Sequence, residues 1–136
     1  MKIEKHQEII NEVLEEINSA LTDKRGLLFH QRRLAFSLSL GAVNSLEQHF
    51  HIINIIKEGS KINHRWFKKK EKRLKEYLQR QIVSPLDSIE NIEEIINLVK
   101  EIEDKRDDIA YGPPVKEEIL QNKINLFLRL RKALKC

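Results

Sequence analysis

The stretch EIEDKRDDIAYGPP, residues 101–114, places a single arginine, Arg106, among five acidic side chains. A guanidinium can hold a phosphate through two parallel hydrogen bonds. Arg106 is therefore the candidate phosphate clamp of this chain.

Arg106 also falls on the apolar stripe of the helix predicted around it. The stripe consists of residues at helical spacing on both sides of the arginine: Leu86, Ile89, Ile92, Ile95, Ile96, Val99, Ile102, Ile109 and Ala110. A guanidinium at such a position loses water at a cost of several kcal/mol unless an anion meets it. Two alternatives remain open: an internal ion pair, with Glu47 as one candidate partner, or a site for a phosphate.

Residues 61–80 form a strongly basic segment, with nine Lys or Arg against two Glu, a net charge of +7 in a chain whose total is +4. Basic residues interleaved with aromatic rings suit single-stranded RNA, because phosphates meet cations and bases stack on rings. The alternative is an amphipathic helix whose rings pack inward while its lysines face water. The candidate RNA-binding residues are Arg65, Trp66, Lys68, Lys69, Lys70 and Arg73.

The opposite charge follows directly in the sequence. Residues 86–108 carry nine Asp or Glu against three basic residues, a net charge of −6. The acidic segment and the basic segment can attract each other within one chain, or an acidic face can meet a basic face across a dimer. The same carboxylates would repel RNA near Arg106 unless they point away from it.

Apolar residues at helical spacing, separated by short breaks, predict an all-α fold: an antiparallel, up-and-down bundle of four to five helices in a single domain, residues 1–136. The third helix is expected to end at Ser84-Pro85, and Asp87 or Ser88 to cap the fourth. Gly112 is expected to take a left-handed conformation at the end of the fourth helix. The predicted helices span residues 3–21, 27–57, 62–82, 86–111 and 115–134.

Composition narrows the class of protein further. The single cysteine, Cys136, permits no internal disulfide, which favours a cytoplasmic location, and we do not expect it to act as a nucleophile. Met1 leads into polar residues rather than a signal peptide, and no apolar run approaches the roughly 18 residues of a membrane span. No glycine-rich phosphate loop is present. We expect no cofactor, no metal site and no membrane association.

An all-α bundle whose late helix reads Arg106-Asp107-Asp108-Ile109-Ala110-Tyr111-Gly112 resembles the HEPN superfamily, the higher eukaryotes and prokaryotes nucleotide-binding domains. The family motif is an arginine followed after four to six residues by a histidine, often as R-N/D-x-I/L-A-H-G. Arg106 matches the motif arginine, Asp107 matches the polar residue after it, and Tyr111 occupies the position of the histidine. The resemblance covers the motif except for its histidine, and it implies that Arg106, Asp107 and Tyr111 are the candidate catalytic residues, with Arg106 as the phosphate clamp. The phenol of Tyr111 can donate a hydrogen bond to a phosphate or stack on a base.

The resemblance implies a homodimer that brings two copies of the motif together in one cleft. Many members of the family are metal-independent endoribonucleases of toxin–antitoxin or defence systems, and minimal members are often paired with a nucleotidyltransferase antitoxin. Other members bind nucleotides or serve assembly. The corresponding expectation here is an RNA-directed protein, and the alternative is a non-catalytic dimer that binds a nucleotide or a partner protein. The small residues of the second helix, Ser37, Ser39, Gly41 and Ala42, and the stripe around Arg106 are the expected dimer seam.

The tyrosine at position 111 changes the expected chemistry. Attack of a 2′-hydroxyl on a phosphodiester needs a proton acceptor, and tyrosine, which titrates near about 10, is a poor base at neutral pH. We therefore expect a phosphate-binding cleft with weak or lost ribonuclease activity. His64, at the start of the basic segment, is the best substitute acid or base by residue type, and a purely structural role is the alternative.

Overall fold

The computed structural model describes residues 2–135 and places six α-helices in them. The helices are α1 (Ile3–Thr22), α2 (Gln31–Ile52), α3 (Glu71–Arg80), α4 (Ile92–Glu103), α5 (Arg106–Tyr111) and α6 (Glu117–Ala133). Short 3₁₀ turns precede α2, α3 and α4 at Leu27–His30, His64–Lys68 and Leu86–Ser88. The predicted all-α bundle is confirmed, and it has five helices if α4 and α5 are taken as one interrupted helix.

Met1 and Cys136 lie outside the described residues. The prediction that Cys136 is not a nucleophile concerns one of these two residues and stays a prediction. None of the helices in the described part of the chain combines the length and the apolar composition needed to cross a membrane.

Helices α1 and α2 are antiparallel. His6, near the start of α1, contacts Asn44 near the end of α2, and Glu16, late in α1, contacts His30 just ahead of α2. At this second end both ring nitrogens of His30 lie 2.8 Å from carboxylate oxygens, one on Glu16 and one on Asp23. Hydrogen bonds from Arg25 and His30 hold the pKa of Asp23 well below its usual range. The turn between the first two helices is thereby fixed.

Helix α2 is also antiparallel to α4 and α5. Ser39 donates a hydrogen bond to Glu103, and the side-chain amide of Gln31, one end of α2, donates to the carbonyl of Ile109. All six helices contribute to one buried apolar cluster. Helix α2 is therefore the central element against which the helices carrying the site are placed.

The small residues of α2 serve packing inside the chain. A Cβ on Gly41 would stand 2.8 Å from a ring carbon of Phe127 on α6 and 2.9 Å from a methyl carbon of Val13 on α1. Ser39 and Ala42 are buried as well. The expectation that Ser39, Gly41 and Ala42 lie on a dimer seam is wrong, because the neighbouring helices of the same chain already cover them, whereas Ser37 is half-buried.

The ends of the second and third predicted helices are wrong. Helix α2 stops at Ile52, and residues 55–57 then run antiparallel to residues 81–83, joined by hydrogen bonds from Lys57 to Gln81 and from Val83 to Ile55, each 2.8 Å. The predicted third helix is a 3₁₀ turn followed by the shorter α3. Backbone pairing between distant segments has replaced helix at both places.

The start and end of the fourth predicted helix also differ. Helix α4 begins after Asn91, which takes a left-handed conformation with φ of 61°, so neither Asp87 nor Ser88 caps it. Gly112 has an extended backbone, with φ of −91° and ψ of −172°, rather than the left-handed one predicted. The glycine is still required there, because a Cβ would collide with the carbonyl oxygen of Asp108.

Candidate phosphate-binding site

The helix carrying the predicted motif is broken just ahead of Arg106. Lys105 takes a left-handed conformation with φ of 58°, which few residues other than glycine and asparagine adopt. The ammonium group of Lys123 on α6 donates hydrogen bonds to the carbonyl oxygen of Glu101 and to that of Asp104, the second at 2.7 Å. Lys123 therefore caps the carboxyl end of α4. Removal from water lowers the pKa of Lys123. The break means that Arg106 starts a new helix instead of continuing the stripe of α4.

The side chain of Arg106 is mostly buried, with 16% of its surface exposed. Its guanidinium carbon lies 4.8 Å from the centroid of the Phe36 ring, within cation–π distance. Nη1 donates a hydrogen bond of 2.8 Å to Asp107, while the buried Nε makes no hydrogen bond in the described part of the chain. An internal ion pair is thus present, but with the adjacent Asp107.

Glu47, the ion-pair partner considered from the sequence, is occupied elsewhere. Its Oε2 lies 3.4 Å from Nε2 of the fully buried His6, and its Oε1 accepts a hydrogen bond of 2.5 Å from the main chain of Ile62. An ion pair between Glu47 and Arg106 is therefore wrong. The ring of His51, four residues after Glu47, lies 5.3 Å from the ring of His6 at an interplanar angle of 45°, and burial together with the neighbouring His6 lowers the pKa of His51. Within residues 2–135 no group of three or more His, Cys, Asp or Glu is placed to hold a metal ion.

Asp107 joins Arg106 to the basic segment. Its Oδ2 accepts a hydrogen bond of 3.1 Å from Lys68, while its Oδ1 accepts the one from Arg106. The hydrogen bonds from Arg106 and then Lys68 lower the pKa of Asp107. A lowered pKa keeps this carboxylate ionised at neutral pH, and its contribution to stability is lost only as the pH falls through the folded-state pKa. Lys68, a predicted RNA-binding residue, thus contacts the predicted catalytic residue Asp107, which in turn pairs with Arg106.

Tyr111 is 71% exposed, and its ring meets Phe36 edge-on with the centroids 5.6 Å apart. Phe36 therefore contacts both Arg106 and Tyr111, although its sequence position gave no sign of this role. The space on the inner side of Arg106 has a volume of about 10 Å³ and is lined mainly by apolar side chains. A phosphate must consequently approach Arg106 from the outer side, where Asp107 competes for the same guanidinium.

The aromatic residues of the basic segment are partly used for packing. Phe67 is buried, and the half-buried Trp66 packs against the core and stacks on Tyr77 with the centroids 5.3 Å apart. Lys69, Arg73 and Arg80 surround the Tyr77 ring, with their cationic groups 5.4–5.8 Å from its centroid. The hydrogen bond and charge of Arg73 lower the pKa of Tyr77. Trp66 is thus held in a stack within the protein.

The acidic and basic segments attract each other within one chain, as one of the sequence alternatives stated. Contacts of 2.6 Å between Lys75 and Glu93 and of 3.1 Å between Lys68 and Asp107 join them. From Arg65 to Arg80, six basic residues of the segment make no ion pair in the described residues: Arg65, Lys69, Lys70, Lys72, Arg73 and Arg80. The segment therefore keeps an uncompensated positive surface after folding. We call these six residues the basic surface.

Not every carboxylate points away from this region. A groove of about 510 Å³ beside Lys68 is lined by Lys100 and Lys105 but also by Glu101, Asp104 and Asp108. The mixed charge makes this groove a poor path for a phosphate backbone. Lys68, which directly precedes Lys69 of the basic surface, links Arg106 to the unpaired positive charge through Asp107.

Glu103 and Ser39 are residues of this region that sequence analysis missed. Glu103 is 1% exposed, and its carboxylate accepts a hydrogen bond from Ser39 and lies 3.0 Å from Nδ1 of His64. A signal was present in the sequence, because Glu103 lies one helical turn after Val99 on the buried face of α4. A charged residue at a core position demands a partner, as Arg106 did.

Neither models of protein families nor curated proteins match the sequence significantly, and no solved structure matches significantly either.

Replacing Asp107 by Asn should raise the affinity for a labelled single-stranded RNA about threefold to tenfold. The substitution removes the carboxylate that forms ion pairs with both Arg106 and Lys68. Fluorescence anisotropy at fixed ionic strength measures the change. Asp108→Asn is the matched control, since it removes the same charge from the next residue, which makes no ion pair in the described chain. Equal effects of the two substitutions, or weaker binding by the Asp107 variant, would contradict this assignment.

Proposed function

We propose that this chain is a HEPN-like RNA-binding protein in which Arg106 and Lys68 contact phosphates at one end of the basic surface. The observation that carries the proposal is the set of six basic residues that remain without carboxylate partners although an acidic segment packs against them. Release of counterions from RNA phosphates supplies a large favourable term when such residues bind a nucleic acid.

The contacts available to RNA differ along this surface. Tyr77 has Trp66 on one side and three cationic side chains close to its ring, so its faces are occupied. The residues around it therefore offer charge to the sugar-phosphate backbone. Tyr111, with most of its ring exposed, is the aromatic side chain left for stacking on a base next to Arg106.

The resemblance to the HEPN superfamily extends the proposal to a biological role and a partner. The role is in a toxin–antitoxin or defence system, and the partner is a nucleotidyltransferase antitoxin. The metal-independent endoribonuclease activity of the family is weak or lost in this chain, because Tyr111 stands in place of the histidine. The arrangement of Arg106, Asp107 and Lys68 supports the phosphate-binding part of this proposal.

The double substitution of Lys69 and Lys70 by Ala tests the proposal. Because these lysines are exposed and unpaired, the RNA affinity should fall, and the slope of log affinity against log salt should become shallower by about 1.4, the value for two lost contacts to a single strand. The control replaces Lys24 and Lys132, two exposed lysines away from the basic surface, and so changes the net charge equally. RNA binding that is independent of salt, or equal loss in the two double variants, would overturn the proposal.

A second candidate function is a non-catalytic homodimer that binds a nucleotide or a partner protein. An exposed apolar face on and around α2 favours it, with exposed fractions of 59% for Phe29, 38% for Phe36, 47% for Leu40 and 71% for Tyr111. Apolar side chains grouped in this way mark contact surfaces. Because Phe36 and Tyr111 adjoin Arg106, a two-fold contact through this face would bring two copies of Arg106 together.

Leu40→Glu should convert a dimer formed through this face into a monomer, because it places a charge in an apolar contact. Light scattering coupled to size-exclusion chromatography measures the molar mass. Leu128→Glu on α6, where the native leucine is 43% exposed, is the control and should leave the mass unchanged. A wild-type protein that is monomeric at high concentration would remove this candidate.

A further inference from the structure

We infer that His64, oriented by the buried Glu103, is the general base for cleavage of RNA bound at Arg106 and Lys68. The inference rests on the proposed RNA-binding function and assigns it a reaction. It places the proton-transfer group outside the segment of residues 106–111 that sequence analysis favoured.

Glu103 fixes the orientation of the histidine ring. Its side chain is 1% exposed, Ser39 donates to Oε1, and Oε2 lies 3.0 Å from Nδ1 of His64. A carboxylate facing Nδ1 requires a hydrogen on that nitrogen, so the neutral ring keeps its lone pair on Nε2. A buried carboxylate in this position also stabilises the imidazolium that forms when Nε2 takes a proton.

The second ring nitrogen is open to a substrate. The side chain of His64 is 28% exposed, and Nε2 is not among the buried atoms that lack a partner. Nε2 makes no hydrogen bond to any residue in the described range 2–135. His64 therefore presents a basic nitrogen to solvent on a rigidly held ring. By contrast, both ring nitrogens of His30 face carboxylates, and His6 is wholly buried.

The base and the phosphate-binding residues are joined by contacts in one region of the structure. Ser39 meets Glu103, and Phe36, one helical turn earlier on α2, meets Arg106. His64 begins the 3₁₀ turn that Lys68 ends, and the two residues contact Glu103 and Asp107 respectively. Four residue steps of a 3₁₀ helix rise about 8 Å. A strand whose phosphate contacts Lys68 and Arg106 can therefore bring a neighbouring ribose to His64.

The reaction that this arrangement supports is attack of an RNA 2′-hydroxyl on its own 3′-phosphate. Nε2 of His64 takes the hydroxyl proton, the 2′-oxygen forms a bond to phosphorus, and the bond from phosphorus to the 5′-oxygen of the next nucleotide breaks. That oxygen takes a proton from water, and the hydroxide produced takes the proton from His64. The products are a 2′,3′-cyclic phosphate and a 5′-hydroxyl, and Lys68 and Arg106 offset the charge that develops on the phosphate oxygens.

His64→Asn separates this role from a structural one. The amide nitrogen of asparagine stands near the position of Nδ1 and can donate to Glu103, but it cannot take a proton at neutral pH. Wild-type protein should cleave a labelled single-stranded RNA in EDTA, and the variant should cleave it about 100-fold more slowly or worse, with its RNA affinity within about twofold of wild type. His49→Asn, on the far end of α2, is the control and should cleave at the wild-type rate.

A measurement on the wild-type protein alone keeps the inference testable if the variant fails to fold. The same RNA with 2′-deoxyribose at every position should bind but remain intact, and the products from the all-ribose strand should end in a 2′,3′-cyclic phosphate. Binding without any cleavage, cleavage of the deoxy strand, or full activity of a folded His64→Asn protein would overturn the inference and leave RNA binding standing. Absence of binding to either strand would overturn both proposals.

Discussion

A carboxylate that is removed from water must find hydrogen-bond donors, and the region around the candidate site depends on how Glu103 meets that requirement. Its donors come from α2, through Ser39, and from the 3₁₀ turn His64–Lys68, through His64. Removing one partner of such a buried charge costs several kcal/mol, so the three elements are held in one relative position. The position of Lys68 beside Asp107 follows, because Lys68 ends the turn that His64 begins.

The second constraint is the interruption of the helix at Lys105. An uninterrupted α4 would carry Arg106 toward the apolar core, where its charge would have no partner. The left-handed Lys105, with Lys123 capping the carbonyl groups ahead of it, turns the chain so that Arg106 lies against Phe36 and beside Asp107. The guanidinium is thus held in place without being neutralised by a second buried charge. It remains within reach of a ligand on the protein surface.

The two constraints differ in how far the sequence predicts them. The helices follow from local apolar spacing, so α1 and α6 were predicted nearly as they stand, whereas the predicted helix 86–111 is divided into α4 and α5. The interruption at Lys105 was missed, because lysine has no preference for left-handed backbone and its stabilising partner, Lys123, comes from the next long helix. The pairing of His64 with Glu103 joins residues 39 positions apart, which no local pattern indicates.

What the sequence does show at these positions is a charged residue where the helical spacing predicts an apolar one. Arg106 and Glu103 each stood on an apolar face, and only the arginine was recognised as needing a partner. For the basic segment, attraction to the acidic segment of the same chain was one of two alternatives, and the structure shows it. The number of lysines and arginines left without a partner depends on which pairs form, and only the packed structure determines it. These unpaired residues are the support for the proposed binding to RNA.

The state of the His64 ring tests the account most directly. Two-bond ¹H–¹⁵N correlation spectra of protein labelled at histidine nitrogen report which ring nitrogen carries the hydrogen and which one responds to a ligand. The account predicts a hydrogen on Nδ1 of His64 and a change at Nε2 when an all-deoxy strand is added, with His49 unaffected. A hydrogen on Nε2 of the neutral ring, or spectra of His64 that do not change at saturating strand, would contradict it.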